Sequence, residues 1–256
     1  MNKFLLTSFF ILLFISSSSN AGTDGINELS KNKPKNVKDC FETLNRGTFA
    51  LNQGLDKVIF KPVATVYKVL PSPVKSGVSN SLNNLSNLVT IPNNILQGEF
   101  KKAGTNTIRL VVNTTIGIFG IFDAAKAAGI PEYEKEDYGQ SLAKMGVGPG
   151  CYVVLPVLGP STARDTVGSV ANLVGGDAWY NVTVRNDTQH FEDAHYYTSK
   201  VMSGVDFRAK NYDEIDNLEK NSIDFYSSLK SIYLQDRKNK INNSIEDEDE
   251  WGNLDN

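Results

Sequence analysis

GVGPGCYVVLPVLGPSTARD, residues 146–165, packs three closely spaced glycines, two prolines flanking an apolar run and an Arg-Asp pair into twenty residues. It is too apolar for an ordinary surface loop and too interrupted for an ordinary helix. It also lacks the local patterns of catalysis. Ser161 sits in Gly-Pro-Ser-Thr without the glycine spacing of a nucleophile elbow. Gly146, Gly148 and Gly150 have the wrong spacing for a dinucleotide fingerprint, and no Lys-Ser or Lys-Thr follows as in a P-loop. The expected structure is non-helical backbone from Cys151 to Leu158, held between Gly150 and Gly159-Pro160. A helix with Ser161 as N-cap should then run towards Val174.

Upstream, IRLVVNTTIGIFGIF (residues 108–122) is broken by Arg109, Asn113, Gly117 and Gly120. It is shorter than the roughly 20 residues that span a bilayer, so two short helices meeting near the glycines are expected. Arg109 could snorkel to an interface or bind a carboxylate. Before it, Val74, Val78, Leu82, Leu85, Leu88 and Val89 form an apolar stripe opposite a face of serine, asparagine and Lys75. That pattern suits a core helix and also a helix lying in a membrane interface. Pro92 should begin the next helix. Phe41, Leu44, Thr48, Leu51, Leu55 and Ile59 mark an earlier helix with Asp39 as N-cap and Pro62 as its end or kink.

Downstream, residues 188–203 and 222–240 read as amphipathic helices, and five consecutive acids, Glu246 to Glu250, read as a solvated tail. Few segments alternate with period two, so the chain is expected to be all-α. The N-terminal MNKFLLTSFFILLFISSSSNAG has the basic start, apolar run and small-residue site of a signal peptide. The expected organisation is a signal peptide at 1–21, a linker at 22–38, a helical domain at 39–240 and an acidic disordered tail at 241–256.

Lys+Arg total 26 against Asp+Glu 29, without the basic surplus of a nucleic-acid binder. The two histidines, His190 and His195, are five residues apart and about 140° apart on a helix, so they do not converge on a metal. No metal or cofactor is expected. In an exported chain Cys40 and Cys151 could form one disulfide or remain two buried thiols.

The stretch EDYGQSLAKMGVGPGCYVVLPVLGPSTARDTVG (residues 136–168) resembles the signature of the MlaA (VacJ) family of bacterial outer-membrane phospholipid-transport proteins. LNRGTFALNQGLDKVIFKPVATVYKVLPSPVKSG, from Leu44, is similar to the family's Asn-Arg run and its following helices, and RLVVNTTIGIFGIFDAAKAAGIP, from Arg109, to a further family segment. A weaker echo lies at residues 205–208 and 233–235.

The resemblance implies a ring-like bundle of short amphipathic helices in the inner leaflet of the outer membrane, with a central amphipathic channel. It implies transport of mislocalised glycerophospholipid from the outer leaflet, alongside a porin trimer, to a soluble periplasmic (MlaC-like) lipid carrier, without catalysis. Under it the lipid-channel candidates are Ile116, Ile118, Phe119, Phe122, Tyr152, Val153, Val154, Leu155, Val157 and Leu158. The structural motif is Asn45, Arg46, Gly146, Gly148, Gly150, Pro156, Gly159, Pro160, Arg164 and Asp165, with Arg164 and Asp165 pairing or capping the helix after them. Three departures stand out. No lipidation cysteine follows the signal peptide, so the ring alone would hold the membrane. Cys40 and Cys151 stand where proline is common, and Lys144-Met145 where the family often has x-Trp. The alternatives are a soluble periplasmic adaptor that binds porin or carrier, and an exported lipid hydrolase using Cys151 or Ser161.

Overall fold

In the computed structural model, which describes residues 37–186 and 188–252 (from 243 onward as backbone only), helix follows helix in short runs joined by tight turns. The expected signal peptide and most of the expected linker lie outside the described residues.

Helix α1 (Glu42–Leu55) runs through a π-helical turn at Asp56–Phe60 into α2 (Lys61–Lys68). Pro62, in the first turn of α2, cannot donate a backbone hydrogen bond, and the ladder slips by one residue where Lys61 N–H reaches the Asp56 carbonyl. Pro62 thus re-registers the helix without ending it. Asp39 is not the cap of α1. That position falls to Phe41, which has no capping side chain, while the Asp39 carboxylate accepts from Asn45 (2.7 Å), Lys230 (3.1 Å) and the Tyr226 hydroxyl.

Helix α3 (Ser72–Leu96) starts behind Pro71 and runs straight through Pro92, which does not begin a new helix. Beside the bond that Pro92 removes, the Asn93 side chain donates to the Val89 carbonyl (2.8 Å). Gly98, at φ +81°, turns the chain into α4 (Phe100–Thr115). Asn84 bonds Thr114 (2.9 Å) and Asn106 bonds Asn94 (2.9 Å), pairs whose numbers sum to a near-constant, so α3 and α4 are antiparallel. The expected second helix at residues 116–122 is instead a tight turn, because Ile118, Phe119 and Gly120 all take positive φ.

Short α5 (Ala124–Ala127) and α6 (Tyr138–Lys144) lead to a two-stranded antiparallel hairpin, β1 (Tyr152–Leu155) and β2 (Gly159–Thr162), with Tyr152 opposite Thr162 and Leu155 opposite Gly159. The fold is all-α as expected, and the non-helical stretch expected at residues 151–158 is the first strand and turn of this hairpin. Helix α7 (Ala163–Ala171) is capped by Thr162, not Ser161: the Thr162 hydroxyl accepts from Asp165 N–H (3.2 Å). After α8 (Ala178–Tyr180) come α9 (Asp193–Lys210), α10 (Tyr212–Asn221) and α11 (Phe225–Gly252). No glycine or proline interrupts residues 225–251, and the α11 backbone continues through the acidic run expected to be a disordered tail.

The packing inverts the usual rule. On α1 the inward residues are Asn45 and Phe49, while Leu44 (69% exposed) and Leu51 face out. On α3 they are Ser79, Asn84, Asn87, Thr90, Asn93 and Asn94, and on α4 Asn106, Arg109 and Asn113. The apolar stripe of α3 is therefore not its buried face. A compact apolar cluster forms where α1, β1 and α11 meet, with Phe49 edge-on to Phe225 and Tyr226 (ring centroids 5.4 Å) over Tyr152 and Val154.

Candidate functional site

The signature hairpin is fixed by amide side chains. Asn45 donates to the Tyr152 carbonyl (3.0 Å) and accepts from Val154 N–H (2.9 Å). One heptad on, Asn52 donates to the Leu155 carbonyl (2.9 Å) and accepts from Val157 N–H (2.8 Å). Seven helical residues rise about 10.5 Å, so two asparagines on one face of α1 reach the free edge of β1 at Tyr152 and Val154 and the hairpin turn at Leu155 and Val157. The Cys40–Cys151 disulfide and the bond from Tyr152 N–H to the Lys38 carbonyl (2.8 Å) tie the chain before α1 to the same strand. Arg46 makes a two-nitrogen contact with Asp224 (2.7 and 3.1 Å) and lies over the Tyr226 ring.

Behind the hairpin, α6 and α7 cross through glycine. A Cβ on Gly168 would stand 2.5 Å from the Gly139 nitrogen, and one on Gly139 would stand 2.4 Å from both Asp165 and Arg237. The space so left holds a buried ionic network. Asp165 accepts from Arg164 (3.0 Å), Arg237 (2.9 and 3.1 Å) and the Tyr233 hydroxyl (2.9 Å), and Arg237 also grips Asp137 (2.6 Å). Burial alone would push the Asp165 carboxyl up, but Arg237 and Arg164 hold it below the usual carboxylate range. Arg164 and Asp165 therefore pair, as one of the two expected roles has it. Arg237 had no signal in the sequence beyond the echo at residues 233–235. This network walls a cavity of 330 Å³, much of whose lining comes from residues 136–168.

Arg109 resolves to the carboxylate alternative. It contacts both oxygens of Asp123 (2.9 and 3.1 Å) and the Ile130 carbonyl (2.7 Å), and Asn113 adds a bond to Asp123 (3.0 Å). These contacts clamp the base of the turn at residues 116–122, whose tip stays exposed (Phe119, 74%).

A larger cavity, 890 Å³ and apolar, lies between α3, this turn, Trp179 and α9. Its walls include Val74, Val78, Leu82 and Leu85 from the α3 stripe, Ile121 and Phe122 from the turn, and Met202 from α9. Trp179 is oriented by its indole N–H bond to Ser199 (3.2 Å). Of the ten channel candidates, Phe122 lines this cavity. Ile116, Ile118 and Phe119 are exposed around the turn, and Val157 and Leu158 around the hairpin tip. Val153 and Leu155 are half-buried, Leu155 with Leu158 beside the 330 Å³ cavity. Tyr152 and Val154 are core residues, packed under Phe49 and Tyr226, so no lipid can reach them. The cavity wall missed by sequence reasoning was visible as the α3 stripe, and was read as core or interface.

Among the motif residues, Gly146, Gly150 and Gly159 take positive φ and turn the chain around the hairpin, while Gly148 does not. Pro156 begins the hairpin turn and Pro160 lies opposite Val154. The two residues of the hydrolase alternative are both engaged. Cys151 is disulfide-bonded, and the Ser161 hydroxyl engages the Thr162 carbonyl (3.3 Å) and the Thr166 hydroxyl (3.1 Å). His195 accepts from Glu192 N–H in a capping box at the start of α9. Among the described residues no cluster of His, Cys, Asp or Glu could hold a metal, and no helix is long and apolar enough to cross a membrane.

A bundle of polar-cored, greasy-surfaced helices around an apolar cavity defines a lipid-facing protein class, and the comparisons give its family. The sequence model of the MlaA lipoprotein family matches residues 37–240, and the chain belongs to that family. It is 38% identical over 135 residues to an uncharacterised protein of Rickettsia prowazekii, a match covering 52% of this chain and about half (53%) of that relative. It is 30% identical over 201 residues to the intermembrane phospholipid transport system lipoprotein MlaA of Escherichia coli K12, covering 77% of this chain and 76% of that one. A solved structure described as the structural basis for maintenance of bacterial outer membrane lipid asymmetry is similar at TM-score 0.66 and 30% identity, over 80% of this chain and 98% of that chain.

Proposed function

We propose that this chain is a phospholipid conduit of the outer membrane. It takes mislocalised glycerophospholipid from the outer leaflet and passes it to a soluble periplasmic carrier, working beside a porin trimer. The observation that carries this reading is the inversion of polarity: helix after helix buries amides and charges and turns leucine, isoleucine, valine and phenylalanine outward. In water such a surface costs about 25 cal/mol for every Å² of apolar area exposed, and large contiguous apolar patches mark a membrane or partner interface. Immersed in one leaflet, the same surface is favourable, and most polar atoms of the buried amides find partners inside the bundle, as polar groups in membrane proteins must.

Among the described residues no helix is both long and apolar enough to span, and in this reading the bundle sits as a ring within the inner leaflet while the apolar cavity opens a path through it. A two-chain phospholipid resists leaving the bilayer by about 0.8 kcal/mol per methylene immersed, and the α3 stripe offers its tails continuous apolar contact. The conduit needs no bond-breaking chemistry and no cofactor.

Membrane fractionation with lipid analysis of the natively purified protein tests the reading. Phospholipid should accompany the wild type at the membrane, and Val78→Asp, on the cavity wall, should lose most of it. Deleting the gene should raise outer-leaflet phospholipid and detergent sensitivity. Recovery as a lipid-free soluble protein would instead support the periplasmic adaptor.

A further inference from the structure

A cavity of 430 Å³ lies across the first turns of α3 from the apolar one, and its lining is cationic and hydroxylic: Lys68, Lys75 and Lys210 with Ser72, Ser76 and Ser79. Both cavities share the walls α3 and α9. On α3, Pro73 and Val74 line the apolar cavity while Ser72 and Lys75 line this one. On α9, Met202 belongs to the first and Asp206 to the second, four residues or about 6 Å apart. Asn80, in this lining, also bonds the carbonyl of Ile121 in the other (3.1 Å).

The charges do not cancel. Lys68 pairs with Asp213 (2.8 Å), and Lys210 pairs with Asp206 (2.8 Å) and the Ser79 hydroxyl. Asp206 is further engaged by the Tyr67 hydroxyl (3.0 Å). Lys75 donates to the Lys68 carbonyl (2.9 Å), and among the described residues no carboxylate pairs with its charge. Pro71, at the N-cap of α3, supplies no capping side chain, so the positive end of a 25-residue helix is also uncompensated beside Ser72.

We propose that this cavity seats the phosphodiester of an anionic glycerophospholipid whose acyl chains occupy the 890 Å³ cavity; the assignment rests on the conduit reading. A zwitterionic headgroup carries its own ammonium into the field of Lys75, and a glycerol headgroup does not, so the site selects the anionic lipid.

The test uses the full chain in mild detergent, equilibrated with vesicles of equal phosphatidylglycerol and phosphatidylethanolamine and then repurified for lipid extraction. Wild-type protein should carry the two lipids in a ratio shifted about fivefold towards phosphatidylglycerol, the yield of one solvent-facing ionic contact. Lys75→Glu should return the ratio to that of the vesicles with total lipid unchanged, and Lys75→Arg should preserve the shift. Excess inorganic phosphate should leave the shift in place. An unshifted wild-type ratio, a shift that survives in Lys75→Glu, or one erased by free phosphate alone would each overturn the headgroup site while leaving the conduit standing. Leu82→Asp, in the apolar wall, should lower both lipids together. A wild type that carries no lipid at all would sink the conduit reading and this one with it.

Discussion

Asn45 shows how much one amide can hold in this fold. It is 2% exposed and bonds two backbone groups of β1 as well as Asp39. Asn45→Ala strands a buried carbonyl, an N–H and part of a carboxylate shell, an expected loss of about 2–4 kcal/mol seen as a lower thermal midpoint. Glu136 makes the opposite kind of contribution. Burial pushes its carboxyl up to about 7 from 4.5, despite bonds from Gln97 (2.9 Å) and Gln140 (2.6 Å). The unfolded chain therefore ionises this group first, and stability should fall as pH rises from 4.5 to 7, by on the order of 3 kcal/mol. Asp165 and Asp39, held below the usual carboxylate range, lose their contributions only in more acidic solution. Denaturant midpoints at pH 5 and pH 7.5 check this: Glu136→Gln should flatten the difference, and a variant with the wild-type slope would refute the assignment to Glu136.

The crossing of α6 over α7 is a property of two elements more than of any residue. Gly139 and Gly168 bring the backbones together, and Arg237 of α11 locks the joint through Asp137 and Asp165. Gly168→Ala cannot be accommodated without separating the helices and should cost about 3 kcal/mol, whereas Gly148→Ala, with nothing within 4 Å of the added carbon, should be near neutral. Paired thermal melts decide the point.

Helices with a strong 3.6-residue period, such as α1 and α3, were legible in the sequence, as was the unusual character of residues 146–165. Periodicity reports which residues share a face but not whether that face looks inward, so the α3 stripe was left between core and interface. The hairpin was illegible for a different reason. Pro160 and two glycines depress strand propensity, and β1 is held by Asn45 and Asn52, more than a hundred residues away, which no local window sees. The turn at residues 116–122 was misread because isoleucine and phenylalanine rarely take positive φ. The Arg109–Asp123–Asn113 clamp at its base and the backbone bonds from Phe119 to Thr114 and from Gly120 to Asn113 hold them there.

At the scale of the molecule, apolar skin and polar interior set where the chain can live. Replacing two exposed valines on the first helices, Val58 and Val66, by serine removes apolar contact with a bilayer without touching the interior. Vesicle flotation should show weaker membrane association, by tenfold or more at about 1 kcal/mol per side chain, with an unchanged melt in detergent. The Cys40–Cys151 bond closes a separation of 111 residues, so its reduction should destabilise the fold by up to about 5 kcal/mol. A melt insensitive to reductant would show that the contacts around β1 suffice alone.

The two asparagines on α1 have one more consequence. An unpaired edge beside Tyr-Val-Val-Leu is the kind of surface on which further chains stack into fibrils, and here a helix occupies it with side-chain amides that cannot propagate a ladder. While α1 stays seated the hairpin is sterile; a chain in which that helix comes away exposes a nucleus for cross-β aggregation.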